Sequence, residues 1–207
     1  MRDIDKKFDY PEQLPILAIK NTVLFPGIVI PITVNRDKSI KAVEDAYANG
    51  KMIGVLTQKN QDMENPKPED IYNIGVIAQI HKMLRMPDGS VTIIIQGRSR
   101  FMVEQFDQTE PYLKSRFVLL EYITAENNLE FDAQISSIRD LAKEIVELSP
   151  NIPSDATVML RNIESNTFLM NFIASNLSAS VEEKQPTCLT SLICCWVRWT
   201  KNLTYCA

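Results

Sequence analysis

The chain has 207 residues, 45% of them hydrophobic, enough for one large or two small domains with a real core, which excludes disorder as its general state. Its formal net charge is −4 at pH 7, and the last 22 residues, Pro186 to Ala207, hold Arg198 and Lys201 and no acid, so the rest is more acidic still. Duplex binding rests on clustered cations, so no nucleic-acid partner is expected. All four cysteines and both tryptophans also lie in that tail, which leaves the body without a disulfide framework or thiol chemistry and suits a reducing cytoplasm.

Residues Met1 to Pro11 are polar and hold no apolar run of signal length, so export is not expected. Two apolar runs follow, Ile16 to Ile19 and Ile28 to Val34, punctuated by Pro15, Pro26-Gly27 and Pro31; no helix tolerates that spacing, and the pair is predicted to be two strands joined by a turn. Asp37 is the expected N-cap of an amphipathic helix with Ile40, Val43 and Tyr47 on one stripe, stopped at Asn49-Gly50. Met52 to Thr57 reads as a buried strand, and the polar stretch after it, with Pro66 and Pro68, as a surface loop. Ile74 to Ile80 and Val91 to Ile95 flank Pro87-Asp88-Gly89 as a β-hairpin, with Val76, Ala78 and Ile80 on one face and Ile77, Gln79 and His81 on the other. The alternation decays from His81 to Met86, so this end is predicted to project past the core. Phe101 to Phe106 and Leu113 to Tyr122 complete the β portion.

No glycine follows Gly97, and from Leu129 the apolar period becomes helical. Ile135, Ile138, Ala142 and Ile145, widened by Leu141 and Leu148, mark one helix that ends before Pro150. Ser154 caps a second with Val158 and Ile163, and Phe168, Leu169, Phe172 and Ile173 form the face of a third. Ser180 and Glu183 have capping-box spacing for a fourth helix, which Pro186 is expected to interrupt. The fold class is therefore α+β: a β-rich lobe over residues 1–125, a three-helix bundle over 126–185, and a disordered tail over 186–207.

No phosphate-binding G-x-x-x-x-G-K-[ST], no G-x-S-x-G and no H-E-x-x-H is present, so no catalytic, cofactor-binding or metal residue is assigned. The lone His81 has no second imidazole and no nearby cysteine, and the tail cysteines lack the paired short spacing of zinc sites. Leu189 to Trp199 is apolar but reaches only about half a membrane span. His81, Lys82, Arg85, Arg98 and Arg100 are expected at one end of the hairpin as a solvated rim; an RNA-binding β module is the sharper alternative, without interleaved aromatics to support it. Met83, Leu84 and Met86, with Phe25, are the candidate contact residues for another protein, because flexible methionine recurs on adaptable apolar surfaces.

The string L-P-I-L-x-I-x-N-T-V-L-F-P-G from Leu14, then P-I-x-V from Pro31 and R-x-K-S-I from Arg36, resembles the opening of the N-terminal domain of Lon, the ATP-dependent protease. G-V-I-A-Q-I-H-K-M-L-R-M-P-D-G-S-V from Gly75 and G-R-x-R from Gly97 extend the resemblance, which covers about residues 12–185. It implies a PUA-like pseudo-barrel lobe followed by helices. It also implies a recognition and assembly role, with unfolded, damaged or degron-bearing client proteins and other Lon subunits of a hexamer as partners. The parent's ATPase, with its ATP and magnesium, and its Ser-Lys dyad would lie downstream, so this chain is expected to hold no cofactor and to hydrolyse nothing. A stand-alone adaptor or ligand-binding domain of the same fold is the alternative. The tail departs from the family, and codons chosen for it can be shifted by one base to give NLLDIADMLLGKVDKELDLL, an acidic helical string like the family's continuation; a frameshift or cloning artefact is the expectation there.

Overall fold

The computed structural model describes residues 10–120, 133, 135–141, 163, 165–176 and 179–189. In order these form β1 (Gln13–Ile19), β2 (Val29–Val34), α1 (Asp37–Ala48), β3 (Met52–Thr57), a 3-10 turn (Pro68–Asp70), β4 (Ile74–Arg85), β5 (Val91–Gln108) and β6 (Lys114–Leu120). A helical stretch at 135–141 follows, then α2 (Asn166–Asn176) and α3 (Val181–Leu189). The expected α+β class holds, with strands where β-branched residues are dense and helices where glycine has disappeared.

The strand order is β2-β5-β4-β3-β1-β6, and β6 pairs back onto β5. Five strands thus close into a ring, with β2 added outside it, which is the pseudo-barrel that the resemblance implied. The length of β5 makes this possible: Val91 to Gln96 pair with β2, and Arg100 to Gln108 pair with β6. Along β4 the register passes from Ile77↔Ser99 to Ala78↔Gly97 and leaves Arg98 as an extra residue. Such a bulge bends the strand as ring closure requires. Among the described strands only β1 and β3 run parallel, a pairing that needs a long crossover, here β2 and α1.

The two opening strands exist, but they do not pair with each other. At the turn between them Gly27 adopts φ +84° and its N–H donates to Gly97 O at 2.9 Å, while Gly97 N–H donates to Ile28 O at 2.9 Å. These bonds hand the chain from β1 to β5. A Cβ on Gly97 would lie 2.4 Å from Phe25 O, so only glycine allows the approach. The Gly97–Ile28 bond also sets the rungs: Pro31, three residues on and opposite Ile94, points its nitrogen away from β5 to the open edge, where no ladder bond is lost.

One core fills the ring: Leu14 and Ile16 of β1, Met52 and Leu56 of β3, Ile77 of β4 and Phe101 of β5 are buried together, with Phe117 of β6 packed against them. The opposite face carries Leu17, Ile53, Val55, Val76, Ala78, Ile80, Ile93 and Ile95 and is covered by Val43 and Ala46 of α1 and Ala174 of α2. Asp37 is the first residue of α1 and not its cap; Arg36 takes the cap position without a side-chain bond. The buried stripe of α1 is Ala42, Val43 and Ala46, because small side chains bring the helix close to the sheet, and Ile40 and Tyr47 flank it.

The helices do not stand apart from the lobe. The Nδ2 of buried Asn171 donates to Pro26 O at 3.0 Å, and the Phe168 ring lies where a Cβ on Gly27 would come within 2.7 Å of it. The other side of α2 buries Leu169 and Met170 against Ile135 and Ile138, with Phe172 and Ile173 at the margin. Leu141 is exposed, and among the described residues the cluster includes no residue of this stretch beyond Ile138. Most of the first expected helix and the second, capped at Ser154, lie outside the described residues. Asn171→Ala is expected to cost about 1–3 kcal/mol, since it leaves the Pro26 carbonyl without its partner; urea unfolding measures it.

The capping box at Ser180 forms: Ser180 N–H donates to Glu183 Oε2 at 2.8 Å and Glu183 N–H to Ser180 Oγ at 3.2 Å. Contrary to expectation, α3 does not stop before Pro186 but runs to Leu189. Lys184 N–H closes the first turn on Ser180 O, and the buried Gln185 side chain donates to Ile74 O at 2.7 Å, so the turn is built and anchored before the proline is met. The tail beyond Leu189 lies outside the described residues. The Ser180 bonds hold the Glu183 carboxyl below its ordinary value of 4.5. A carboxyl depressed in the fold stabilises it above the unfolded pKa and ceases to as pH falls through the folded one. The Gln185–Ile74 anchor is therefore expected to persist at neutral pH and to loosen as the pH falls below the ordinary carboxyl range, which the Gln185 side-chain NH2 signals would report in an NMR pH titration.

Candidate functional site

The end of the β4–β5 hairpin is closed by a turn whose residues suit it. Gly89 N–H donates to Met86 O at 3.1 Å with Pro87 at the second position and Gly89, φ +84°, at the fourth. Asp88 Oδ1 accepts from Ser90 N–H at 2.9 Å and from Ser90 Oγ–H at 2.7 Å, and these bonds lower the Asp88 pKa. Met86 N–H donates to Ser90 O at 2.9 Å, and Arg85 pairs with Val91. The hairpin end is thus a stiff, hydrogen-bonded platform and not a loose loop.

Beyond Ile80 the strand continues to Arg85, with a second register shift at His81. Met83 pairs with Ile93, packs against the main core and so faces inward. Arg85, on the same side, donates to Glu44 Oε1 of α1 at 2.6 Å. Lys82 and Leu84 face the opposite way, and Leu84 and Met86 are 49% and 45% exposed. Of the four residues expected to make contact, then, Leu84 and Met86 come together at the surface and Met83 lies half-buried behind them. Phe25 does not join them. It is 1% exposed, because the Pro26-Gly27 turn folds it beneath β5.

The exposed face is wider than the hairpin. Leu84 pairs with Thr92, which pairs with Thr33 of β2, their hydroxyls 3.0 Å apart; the next rung holds Lys82, Ile94 and Pro31. Val29, 54% exposed, ends the same face of β2. Sequence reasoning missed Val29 and Ile94 because β2 and β5 are apolar on both faces and nothing in their period tells which face is covered.

The basic residues do not gather as one rim. The ring nitrogen Nε2 of His81 lies 3.0 Å from Gln96 Oε1, and Arg98 donates to Gln79 Oε1 from Nε at 3.1 Å. Arg85 turns to α1, and Arg100 is 4% exposed. The extra residue Arg98 reverses the facing of the strand, so Arg100 lands beside Val76 on the buried side. Among the described residues no group of three or more His, Cys, Asp or Glu is placed to hold a metal ion, and no helix is long and apolar enough to cross a membrane.

Comparison with known proteins gives the family. The model of the ATP-dependent protease La (LON) substrate-binding domain matches residues 13–186, ending where the composition of the chain changes. The chain is 49% identical over 178 residues, 86% of its length, to a Lon protease of Flavobacterium johnsoniae, and 42% identical over 184 residues, 88% of its length, to one of Cytophaga hutchinsonii. It spans 22% of the length of each of these relatives. The N-terminal domain of a Mycobacterium avium complex Lon protease shares the fold, with a TM-score of 0.67 at 18% identity over 84% of this chain and 88% of that one. A Lon N-terminal domain protein from Xanthomonas campestris matches with a TM-score of 0.58 at 17% identity over 85% and 89%. By the span of the family match and the identity to these relatives, the chain belongs to the family of Lon substrate-binding domains.

Proposed function

We propose that this chain is the substrate-recognition and assembly part of an ATP-dependent Lon protease of the cytoplasm, and that it holds unfolded, damaged or degron-bearing proteins through the end of its β4–β5 hairpin. The observation that carries this is the pair Leu84 and Met86, exposed side by side on a platform stiffened by the Asp88–Ser90 bonds. Apolar side chains that a fold holds out of its core gain most by meeting another apolar chain. Methionine adapts to many partners, and Lys82 on the same face adds attraction for acidic segments. In this proposal the lobe over 1–125 makes the contact, and the helical part over 126–185 joins it to the rest of a hexameric parent. ATP, magnesium and peptide-bond cleavage belong to parts of the parent outside this chain.

One such surface binds weakly, in the micromolar range or above, and six linked in a hexamer gain avidity without any new contact. Titration of an unfolded, reduced model protein against the purified chain tests the site. Replacing Leu84 and Met86 together by serine is expected to weaken binding about tenfold or more while the melting temperature holds, since both side chains are exposed. Undiminished binding by the folded double variant would move the contact elsewhere. The purified chain is also expected to show neither ATP turnover nor casein cleavage, and activity that survived repurification would contradict the proposed division of labour.

A further inference from the structure

The strand β6 leaves β1 early. The two pair only from Gln13↔Arg116 to Pro15↔Lys114, Ile16 N–H then donates to Leu113 O at 2.8 Å, and Tyr112 and Pro111 lead the chain away. Residues of a strand address its two neighbours alternately, and Ile19 O accepts from Gln58 N–H at 2.9 Å, on the side of β3. Ala18 therefore turns its N–H and C=O to the side that β6 has vacated, and among the described residues no strand meets them there. Ala18 is only partly buried, and backbone polar groups in such a position demand a partner.

This open edge forms the floor of a trough. Two adjoining cavities of about 950 and 450 Å³ share Ala18, Arg36, Lys38, Ser39, Glu64 and Asn65 in their linings. The first turn of α1 makes one wall and the segment Glu64 to Glu69 the other. That second wall is tied in place: buried Gln58 accepts from Arg36 Nη2 at 2.6 Å and donates to Asn60 O at 3.3 Å and Met63 O at 2.9 Å, and Lys59 Nζ donates to Glu69 O at 2.7 Å. The Lys38–Glu110 ion pair crosses from α1 to the turn that carries β5 into β6, at the end where β6 departs. The walls carry charges of both signs, which suits recognition of a main chain more than of one kind of side chain.

We propose that this trough takes a short extended segment of another polypeptide, which adds to β1 in the place β6 vacates and is held by its main chain at Ala18. The proposal rests on the reading that this domain takes polypeptide, but it names a second surface and a different chemistry: backbone hydrogen bonds, tolerant of sequence, in place of the apolar contact at Leu84 and Met86. A client held at both surfaces would be bound at two points, each weak alone.

The test uses the full chain labelled with nitrogen-15 and a capped peptide of alternating threonine and valine with a lysine at each end. A second peptide is identical but N-methylated at successive central residues, so that neither edge of its strand can donate there. The first is expected to shift the Ala18 amide signal with saturation, and the methylated one to bind about tenfold more weakly, because one or two hydrogen bonds are lost with the side chains unchanged. Ala18→Pro should produce a similar loss, and the serine replacements at Leu84 and Met86 none; if Ala18→Pro does not fold, the methylated peptide decides. Equal binding of the two peptides, an unmoved Ala18 signal, or shifts confined to residues 82–86 would overturn the trough. An unfolded protein that still perturbed Leu84 and Met86 would leave the hairpin contact standing.

Discussion

Replacing Phe101 by alanine is expected to lower the unfolding free energy by about 3–5 kcal/mol, the largest loss from any single truncation in the ring. Its side chain is fully buried among residues from the other ring strands, and its ring meets that of Phe117 edge-on with centroids 5.8 Å apart. Gly54 faces it: a Cβ there would lie 3.0 Å from Phe101 Cζ and 2.6 Å from Ile16 Cδ1, so the ring fills the space that glycine leaves. A closed ring of strands cannot collapse into the hole as a helix pair can, and the cavity term should add to the lost transfer energy. For a domain of this size the loss corresponds to roughly 6–20 °C in Tm, measured by circular dichroism. Phe101→Leu, which keeps most of the volume, should cost clearly less.

Gly75→Ala acts through the backbone. Where β4 crosses β3, an added Cβ would sit 2.1 Å from Val55 O and 2.6 Å from Leu56 Cδ2, and a strand carbonyl cannot swing aside as a side-chain end can. About 3 kcal/mol or more of destabilisation is expected, and β3 and β4 must separate locally to relieve it. Denaturant unfolding gives the magnitude, and faster amide exchange at Val55 and Val76, a paired position, would locate it. Gly89→Ala touches nothing within 4 Å, and its cost comes from the positive φ alone, so it should be the milder change.

Where local chemistry decides, the sequence was readable. Met52 to Thr57 is a strand over the expected bounds, and the Pro87-Asp88-Gly89 turn closes the expected hairpin. Pairing partners were not readable. Nothing local to the Pro26-Gly27 turn tells that β2 will join β5, because that depends on Gly97, some seventy residues away, admitting Phe25 to its backbone. Arg100 shows the same limit, since one extra residue at Arg98 reverses the side chains that follow it, up to the next shift after Val103. In the candidate site, Leu84 and Met86 were legible as apolar residues where alternation fails. Phe25 was misread because an apolar residue beside Pro-Gly looks like a loop residue, whereas this turn lies against the sheet. The run of α3 through Pro186 was illegible because its anchor, Ile74 O, lies on a distant strand.

Site-specific photo-cross-linking tests the hairpin end as the client contact. A photoreactive amino acid is placed in turn at Leu84, Met86, Met102 and Val118, all exposed apolar positions, and each chain is irradiated with an unfolded, reduced model protein. Met102 and Val118 pair with each other on the other half of β5, away from the hairpin end. Adducts are expected from positions 84 and 86, competed away by unlabelled client, and few from 102 and 118. Adducts concentrated at 102 and 118, with 84 and 86 no higher than background, would contradict it.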